Sequence, residues 1–325
     1  MNLWRLLAKL VLPYVRLELP GWGRLLRLVR ADGTGQAFWE DAPAVLVRGK
    51  DHGYLMRLDL ADPWDRGTYF LARFEELDAV LFAREAIRPG DSVVDVGANR
   101  GAFTLLASRR VGPSGSVYAL EPNPAECARL RDQLSLNGIS NVQLLEIALG
   151  EAPSTMALHI LGQHTGLATL ADVGQNEAEV SSTVSVKVQR GDDLLGDKLP
   201  PNSVFKIDVE GFEYHVLRGM SSLLETLRPA LLVELEPTWL RRAGTSVEDI
   251  LAFMHQKGYA ALFPNPLRTG LRYRLRLHRI ASSDDLVACR SRFHTSRRNA
   301  VFVHPESVFQ KRLGPLLACC AGMPA

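Results

Sequence analysis

The chain has 325 residues, 46% hydrophobic and 23% charged, which fits one large folded domain or two small ones and excludes collagen, a disulfide miniprotein and a disordered tail. Its net charge of +2 hides an asymmetry. Residues 1–30 carry six basic side chains against one acid, residues 268–298 carry nine arginines against two aspartates, and the remaining body is acidic at −10. That distribution bears on partners and not on fold.

No uncharged apolar run approaches the ~20 residues of a membrane-spanning helix. The opening MNLWRLLAKLVLPYV is interrupted by Arg5 and Lys9 and is followed by no small-residue cleavage site, so a cleaved signal peptide is not expected. Cys127, Cys289, Cys319 and Cys320 form no CxxC pair, and the adjacent Cys319 and Cys320 cannot easily serve one zinc. Reduced thiols and a cytoplasmic location follow as expectations.

In residues 3–15, Leu3, Leu6, Leu7, Leu10 and Val11 recur at helical spacing with Arg5, Lys9 and Arg16 towards another face. Such a basic amphipathic helix either lies on a membrane's inner surface, with residues 1–20 as the contact, or packs on its own domain or on a second copy in a homodimer. Ala44 to Val47 and Tyr54 to Leu58 read as a hairpin, and Arg73 to Ala86 as a helix with Phe74, Leu77, Val80 and Leu81 on one face. A regular alternation follows. Ser92 to Val96, Val117 to Leu120, Val142 to Ile147, Val204 to Val209 and Ala230 to Leu235 are strand-like. Helical patterns at Ala102 to Arg110, from Asn123 and Pro124 to Asn137, at Glu213 to Leu227 and from Ser246 to Gln256 separate them. Asn123 is a cap, with Glu126 placed to complete a capping box.

Strands alternating with helices mean an α/β fold with a doubly wound, mostly parallel sheet. Residues 151–200 interrupt it with an excursion whose flanks, Thr155 to Ile160 and Val184 to Val188, alternate like edge strands around a polar loop or lid. Leu271 to His278 alternates strictly, with Arg272, Arg274, Arg276 and His278 on one face, and Ala300 to Val303 reads as a last strand. The expected organisation is an N-terminal helix and hairpin extension at 1–64 and a main domain at 65–310. Within the domain, a cofactor half covers 90–150, the excursion 151–200 and an acceptor half 201–310. Residues 311–325 form a tail.

Ligands of such a sheet bind beyond the carboxyl ends of the strands. The first strand yields Asp95-Val96-Gly97-Ala98-Asn99-Arg100-Gly101 at a helix start. The dinucleotide fingerprint G-x-G-x-x-G, aligned on Gly97, demands glycine at Asp95 and Arg100, and the Asp95 carboxylate repels a pyrophosphate while favouring a cationic ligand. Glu121, twenty residues after Gly101, ends the second strand, where a carboxylate can accept both hydroxyls of a ribose. An adenosine with a cationic amino-acid head is S-adenosyl-L-methionine.

These blocks, VVDVGANRGAFTLLAS, YALEPNP, LLEIALG, VFKIDVEGFEYHVLRGM and ALLVELEP, resemble the FkbM family of methyltransferases in content and order over roughly residues 65–260. The resemblance implies a class I methyltransferase (Rossmann-like) fold with a seven-stranded sheet, S-adenosyl-L-methionine as cofactor, and usually O-methylation of a small molecule or glycan. It places Asp95, Gly97, Asn99 and Gly101 in the cofactor loop, Glu121 on the ribose, Asn123 beside ribose or adenine, and Ala148 of the ALG pattern against adenine.

Lys206, Asp208 and Glu210 alternate at the end of the fourth strand. Charged groups there are paired, at the site, or both, because an unpaired buried charge is costly. Methyl transfer to a hydroxyl needs an in-line approach and a group to take the proton as the new bond forms. Asp208 is the first candidate base and Glu210 the second, while His164, in the excursion, and His215 are other candidates. Two carboxylates are a thin ligand set, so no metal is expected. Glu234 and Glu236 could line the pocket, although Glu234 could instead only pair with Lys206. The arginine-rich strand admits an anionic acceptor or a solvated edge. RNA methylation, for which no binding module is present, and a non-catalytic cofactor-binding protein docked to membrane or partner are the alternatives. No DNA partner is expected.

Overall fold

The computed structural model describes residues 3–29, 31, 36–162, 167–173, 180–293, 295 and 298–318. His164, Cys319 and Cys320 lie outside them. Helices α1 (Leu3–Arg16), α2 (Trp22–Leu28) and α3 (Gln36–Trp39) are followed by the hairpin β1 (Val45–Arg48) and β2 (Leu55–Leu58). Then come α4 (Pro63–Leu71) and α5 (Leu77–Ala86). The helix expected from Arg73 begins at Leu77, and α4 precedes it as an element the sequence does not announce: Asp62 caps it by accepting from the backbone N–H of Trp64, and Ala72 turns left-handed at φ 53° to end it. The face that α4 buries carries Asp65, Arg66 and Thr68, so apolar spacing does not reveal it. Arg66 is fully buried and donates to the carbonyls of Ala31, Leu60 and Ala61, each at 3.1 Å.

The central alternation runs β3 (Ser92–Val96), α6 (Ala102–Val111), β4 (Ser116–Leu120), α7 (Pro124–Leu136) and β5 (Val142–Leu145). Asn123 caps α7 by accepting from the N–H of Ala125 at 3.0 Å. The backbone N–H of Asn123, which a capping box would give to Glu126, donates to Glu121 Oε1 at 2.8 Å, and Glu126 is buried beside Arg100 at 3.5 Å.

Short β6 (Ala148–Leu149), β7 (Ser154–Leu161), β8 (Ala168–Thr169) and β9 (Val180–Gln189) form a separate four-stranded sheet in the order β6-β9-β7-β8. The excursion flanks therefore pair with each other and not with the edge of the main sheet.

The second half continues with α8 (Gly191–Leu195), β10 (Ser203–Ile207), α9 (Glu213–Arg218), α10 (Ser221–Thr226), β11 (Ala230–Glu234), α11 (Pro237–Arg242) and α12 (Val247–Gln256). The predicted helix 213–227 is broken in two at Gly219, which lies so close to the carbonyl of Gly150 that a Cβ would stand 2.0 Å from it. The chain ends in β12 (Ala260–Thr269), β13 (Arg272–Ile280), α13 (Ser283–Arg292), β14 (Asn299–Val303) and α14 (Phe309–Leu313).

The main sheet has eight strands, one more than the expected seven, in the order β13-β12-β14-β11-β10-β3-β4-β5. β3, β4, β5, β10 and β11 are parallel, β14 runs antiparallel to β11, and β13 adds an outer antiparallel strand to β12. β12 has no clear signal in the sequence because it contains Pro264 and Pro266. Its pairing with β14 stops at Leu262, so those prolines sit where no second neighbour needs their missing N–H groups.

Helices cover both faces of the sheet. One apolar cluster joins Phe205, Ile207, Val216, Met220 and Phe253, and the other joins Val93, Val117, Leu232, Phe82 and Leu106. No helix among the described residues is long and apolar enough to cross a membrane.

Candidate active site

A cleft of about 870 Å³ opens at the carboxyl ends of β3, β4, β10 and β11, where a parallel sheet gathers its loops and helix starts. In its floor, the loop after β3 touches the loop after β10. Gly97 has φ 79°, and a Cβ there would lie 1.8 Å from the Asp208 carbonyl oxygen, so only glycine permits this crossing. The sequence assigns that glycine to a ligand; the structure adds that it lets the cofactor loop and the KIDVEG block meet.

Gly97, Asn99, Glu121 and Ala148 line the cleft. Asp95, Gly101 and Asn123 stand behind its wall. Asp95 is fully buried, its Oδ2 accepting from the Thr104 hydroxyl at 2.6 Å and its Oδ1 meeting no hydrogen-bond partner among the described residues. Gly101, at φ 92°, starts α6 where Leu130 would stand 2.3 Å from a Cβ. Glu121 is held by two backbone N–H groups, from Asn99 to Oε2 at 2.7 Å and from Asn123 to Oε1 at 2.8 Å. Each oxygen keeps a further lone pair for a ligand hydroxyl.

The opposite wall carries the acceptor-side candidates. Lys206, on β10, is buried and donates from Nζ to Asp208 Oδ2 at 2.7 Å, so the ion pair left open by the sequence is present. Glu210 sits in the left-handed region at φ 52°, its carbonyl accepting from the Thr169 hydroxyl at 2.7 Å. Glu213 accepts from the N–H groups of Val209 and Gly211 at 2.9 and 3.2 Å and thereby shapes this turn. Glu234, at the end of β11, lies 4.0 Å from Arg298 instead of pairing with Lys206.

Asp208, Glu210 and Glu234 each bring a carboxylate oxygen within 4.8 Å of the others. The pair counted in the sequence is thus a trio, flanked by the cations Lys206 and Arg298. Glu236 is drawn off to Arg298 at 2.7 Å. His215 packs on Phe212, with ring centres 4.4 Å apart, and does not line the cleft.

Sequence reasoning missed Glu75, Glu76, Arg298 and Asn299. Asn299 donates to Glu76 at 3.0 Å across 223 positions of chain, a contact that no local pattern announces. Among the described residues, nine carboxylates and three cationic side chains line the cleft. That donor set fits a ligand with a sulfonium and an ammonium, and the glycine cradle at Gly97 with the oriented Glu121 carboxylate fits a ribose. S-adenosylmethionine therefore suits the residues present.

Burial raises several of these carboxyls: Glu75 and Glu210 to about 8, and Glu76, Glu121 and Glu213 to about 7. For Glu121 the two backbone N–H donors only partly offset burial. The folded, ligand-free protein thus favours the protonated form, a contribution to stability present below the ordinary value of 4.5 and lost as the pH rises through about 7. A ribose that donates two hydroxyls selects the ionised form. Cofactor binding is expected to release close to one proton well below pH 7 and few above it, with affinity rising across that interval. Calorimetry in buffers of different ionisation enthalpy measures this, and a pH-independent affinity without proton release would remove Glu121 from the contact.

Residues 95–261, half of the chain, match the model of the methyltransferase FkbM domain. The chain is 34% identical to Methyltransferase 1 of Beauveria bassiana over 45% of its own length and 66% of the relative's. It is 25% identical to the hexuronic acid methyltransferase AglP of Haloferax volcanii, over 56% and 68%. It is 31% identical to the 31-O-demethyl-FK506 methyltransferase FkbM of Streptomyces tacrolimicus, over 41% and 61%. The chain thus spans about two thirds of the length of these relatives. By motif, topology and family match, it belongs to the FkbM family of S-adenosylmethionine-dependent methyltransferases.

Proposed function

We propose that the protein methylates a hydroxyl of a small molecule or glycan, with Asp208 as the general base. The observation that carries this reading is the position of Asp208. It follows the central strand β10, its backbone touches the cofactor loop at Gly97, and its side chain is held by Lys206. When bound, S-adenosylmethionine supplies a methyl group on a cationic sulfur, which keeps the C–S electron pair as the acceptor oxygen forms its new C–O bond.

The chain's own residues then have three tasks. Asp208 takes the hydroxyl proton, which becomes more acidic as the C–O bond forms. Lys206 fixes the orientation of Asp208; burial works against the ammonium, and attraction to Asp208 first, then to Asp95 and Glu76, outweighs it. Phe103, Phe212 and Trp239 line the cleft and exclude water from the transfer. Glu210, raised to about 8 by burial and by Asp208, keeps its proton near neutral pH and serves as a hydrogen-bond donor to the acceptor before it serves as a base.

The same cleft favours a neutral acceptor. Its acids outnumber its cations, and none of the β13 arginines lines it. One relative is named for 31-O-demethyl-FK506, which supports methylation of an oxygen, and another for a hexuronic acid, which offers both hydroxyls and a carboxyl. Incubation with S-adenosylmethionine and a panel of neutral, carboxylated and phosphorylated sugars, read by mass spectrometry, tests this. An alkaline-stable methyl ether on neutral sugars is the expected product. Methyl esters, N-methylation or transfer confined to phosphorylated sugars would contradict it.

A further inference from the structure

A second cavity, of about 320 Å³, lies between the end of α1, the β1–β2 turn, α5, α6 and the start of β13. Its lining is strongly cationic, with Arg16, Lys50, Arg73, Arg84, Arg110 and Arg272 against Glu18 and Asp51. Glu18 is already engaged by Lys50 at 2.6 Å and by Arg73 at 2.9 Å. Arg84 pairs with Glu85 at 3.1 Å, which leaves Arg16, Arg110 and Arg272 facing Asp51. Arg16 Nε and Arg110 Nε are both shut off from solvent and have no hydrogen-bond partner among the described residues. Burial, followed by the nearby Arg88, pushes the Arg110 guanidinium below its usual range, a sign that a cation is held here against its surroundings. An anion entering the cavity supplies the countercharge that this cationic lining lacks, and guanidinium groups bind such anions through charge-assisted hydrogen bonds. The apolar side chains of Leu77, Val80, Leu81 and Leu106 in the lining weaken screening and strengthen the attraction.

The rim indicates the source of the anion. Leu17 and Leu271 border the cavity and are 65% and 74% exposed. Leu10 and Tyr14 lie four residues apart on α1 and Leu17 follows directly after its end; Leu10 is 72% exposed, while Ala8 and Val15 are turned into the core. A soluble ion would fill the cavity and leave these leucines in water. A bilayer carrying anionic headgroups satisfies both features at once.

We propose that this cavity binds the phosphate of an anionic lipid and that Leu10, Leu17 and Leu271 enter the bilayer surface around it, docking the protein peripherally. The test is sedimentation with vesicles of phosphatidylcholine alone and of an equal mixture of phosphatidylcholine and phosphatidylglycerol. The full chain binds the mixture and not the neutral vesicles. Arg110→Gln with Arg272→Gln weakens partitioning about tenfold or more, and so does Leu17→Ser with Leu271→Ser.

Arg110 also donates to the carbonyls of Arg84 and Ile87. The exposed Arg272→Gln alone, with a severalfold loss, keeps the test valid if the double variant unfolds. Unchanged binding in folded variants would overturn the proposal. So would a thermal stabilisation by inorganic phosphate in a protein that ignores both vesicle types, since the cavity would then hold a soluble anion. Vesicle binding is read without methyl transfer, so its outcome is independent of the acceptor chemistry.

Discussion

Asp208→Asn lowers turnover by about 10²–10⁴-fold, the contribution of a positioned general base, while affinity for S-adenosylmethionine changes little. The substitution preserves shape and leaves an oxygen to accept the Lys206 ammonium, now bound to Asp208 at 2.7 Å. It removes the proton acceptor. Lys206 stays buried with Asp95 and Glu76 as its remaining countercharges, so a stability loss of about 1–3 kcal/mol accompanies the change. Turnover, cofactor affinity and urea unfolding measured on the same preparation separate the effects. A folded variant with undiminished turnover would clear Asp208 of the base role. Glu210→Gln supplies the contrast: a carboxyl raised to about 8 already holds its proton near neutral pH, so the amide costs turnover less than Asp208→Asn does.

The cofactor half of the protein is legible in its sequence because each element there is local. β3 and β4 are continuous apolar runs, Asn123-Pro124 starts a helix by backbone chemistry alone, and Glu121 follows Gly101 by a spacing that a βαβ unit enforces. The sequence therefore leads to the expectation that the carboxylate at the end of β4 and the glycine in the loop after β3 serve one ligand, and the fold brings both to one cleft.

The acceptor side is legible only in part. The KIDVEG block identifies Lys206, Asp208 and Glu210, but the third carboxylate, Glu234, arrives from the neighbouring strand, and its approach to within 4.8 Å depends on register. Glu76 and Asn299 meet across most of the chain, and Arg298 reads in sequence as one more charge of a basic tail. β12 is obscured by two prolines that only its edge-like position excuses, and α4 by a buried face that is largely polar. The closeness of Gly97 to Asp208, which couples the two halves of the site, has no sequence signature beyond the glycine itself.

Glu121→Ala carries the other large expected effect. The wild-type carboxylate is oriented by the backbone N–H groups of Asn99 and Asn123 and lines the cleft beside Gly97 and Asn99. Alanine removes both ligand-facing oxygens and leaves those two donors without their acceptor, so the loop that shapes the cleft loosens as well. Hydrogen bonds to a charged group contribute about 1.5–3 kcal/mol each; after the cost of ionising a carboxyl raised to about 7 is deducted, affinity falls by about 10²-fold. Glu121→Gln, which keeps one acceptor oxygen, falls between. Calorimetric titration of S-adenosylmethionine into the wild-type protein and into Glu121→Ala is therefore the most direct measurement of the account. One-to-one binding to the wild type that weakens by that factor in the folded variant is the predicted result, and equal affinity in the two proteins would contradict it.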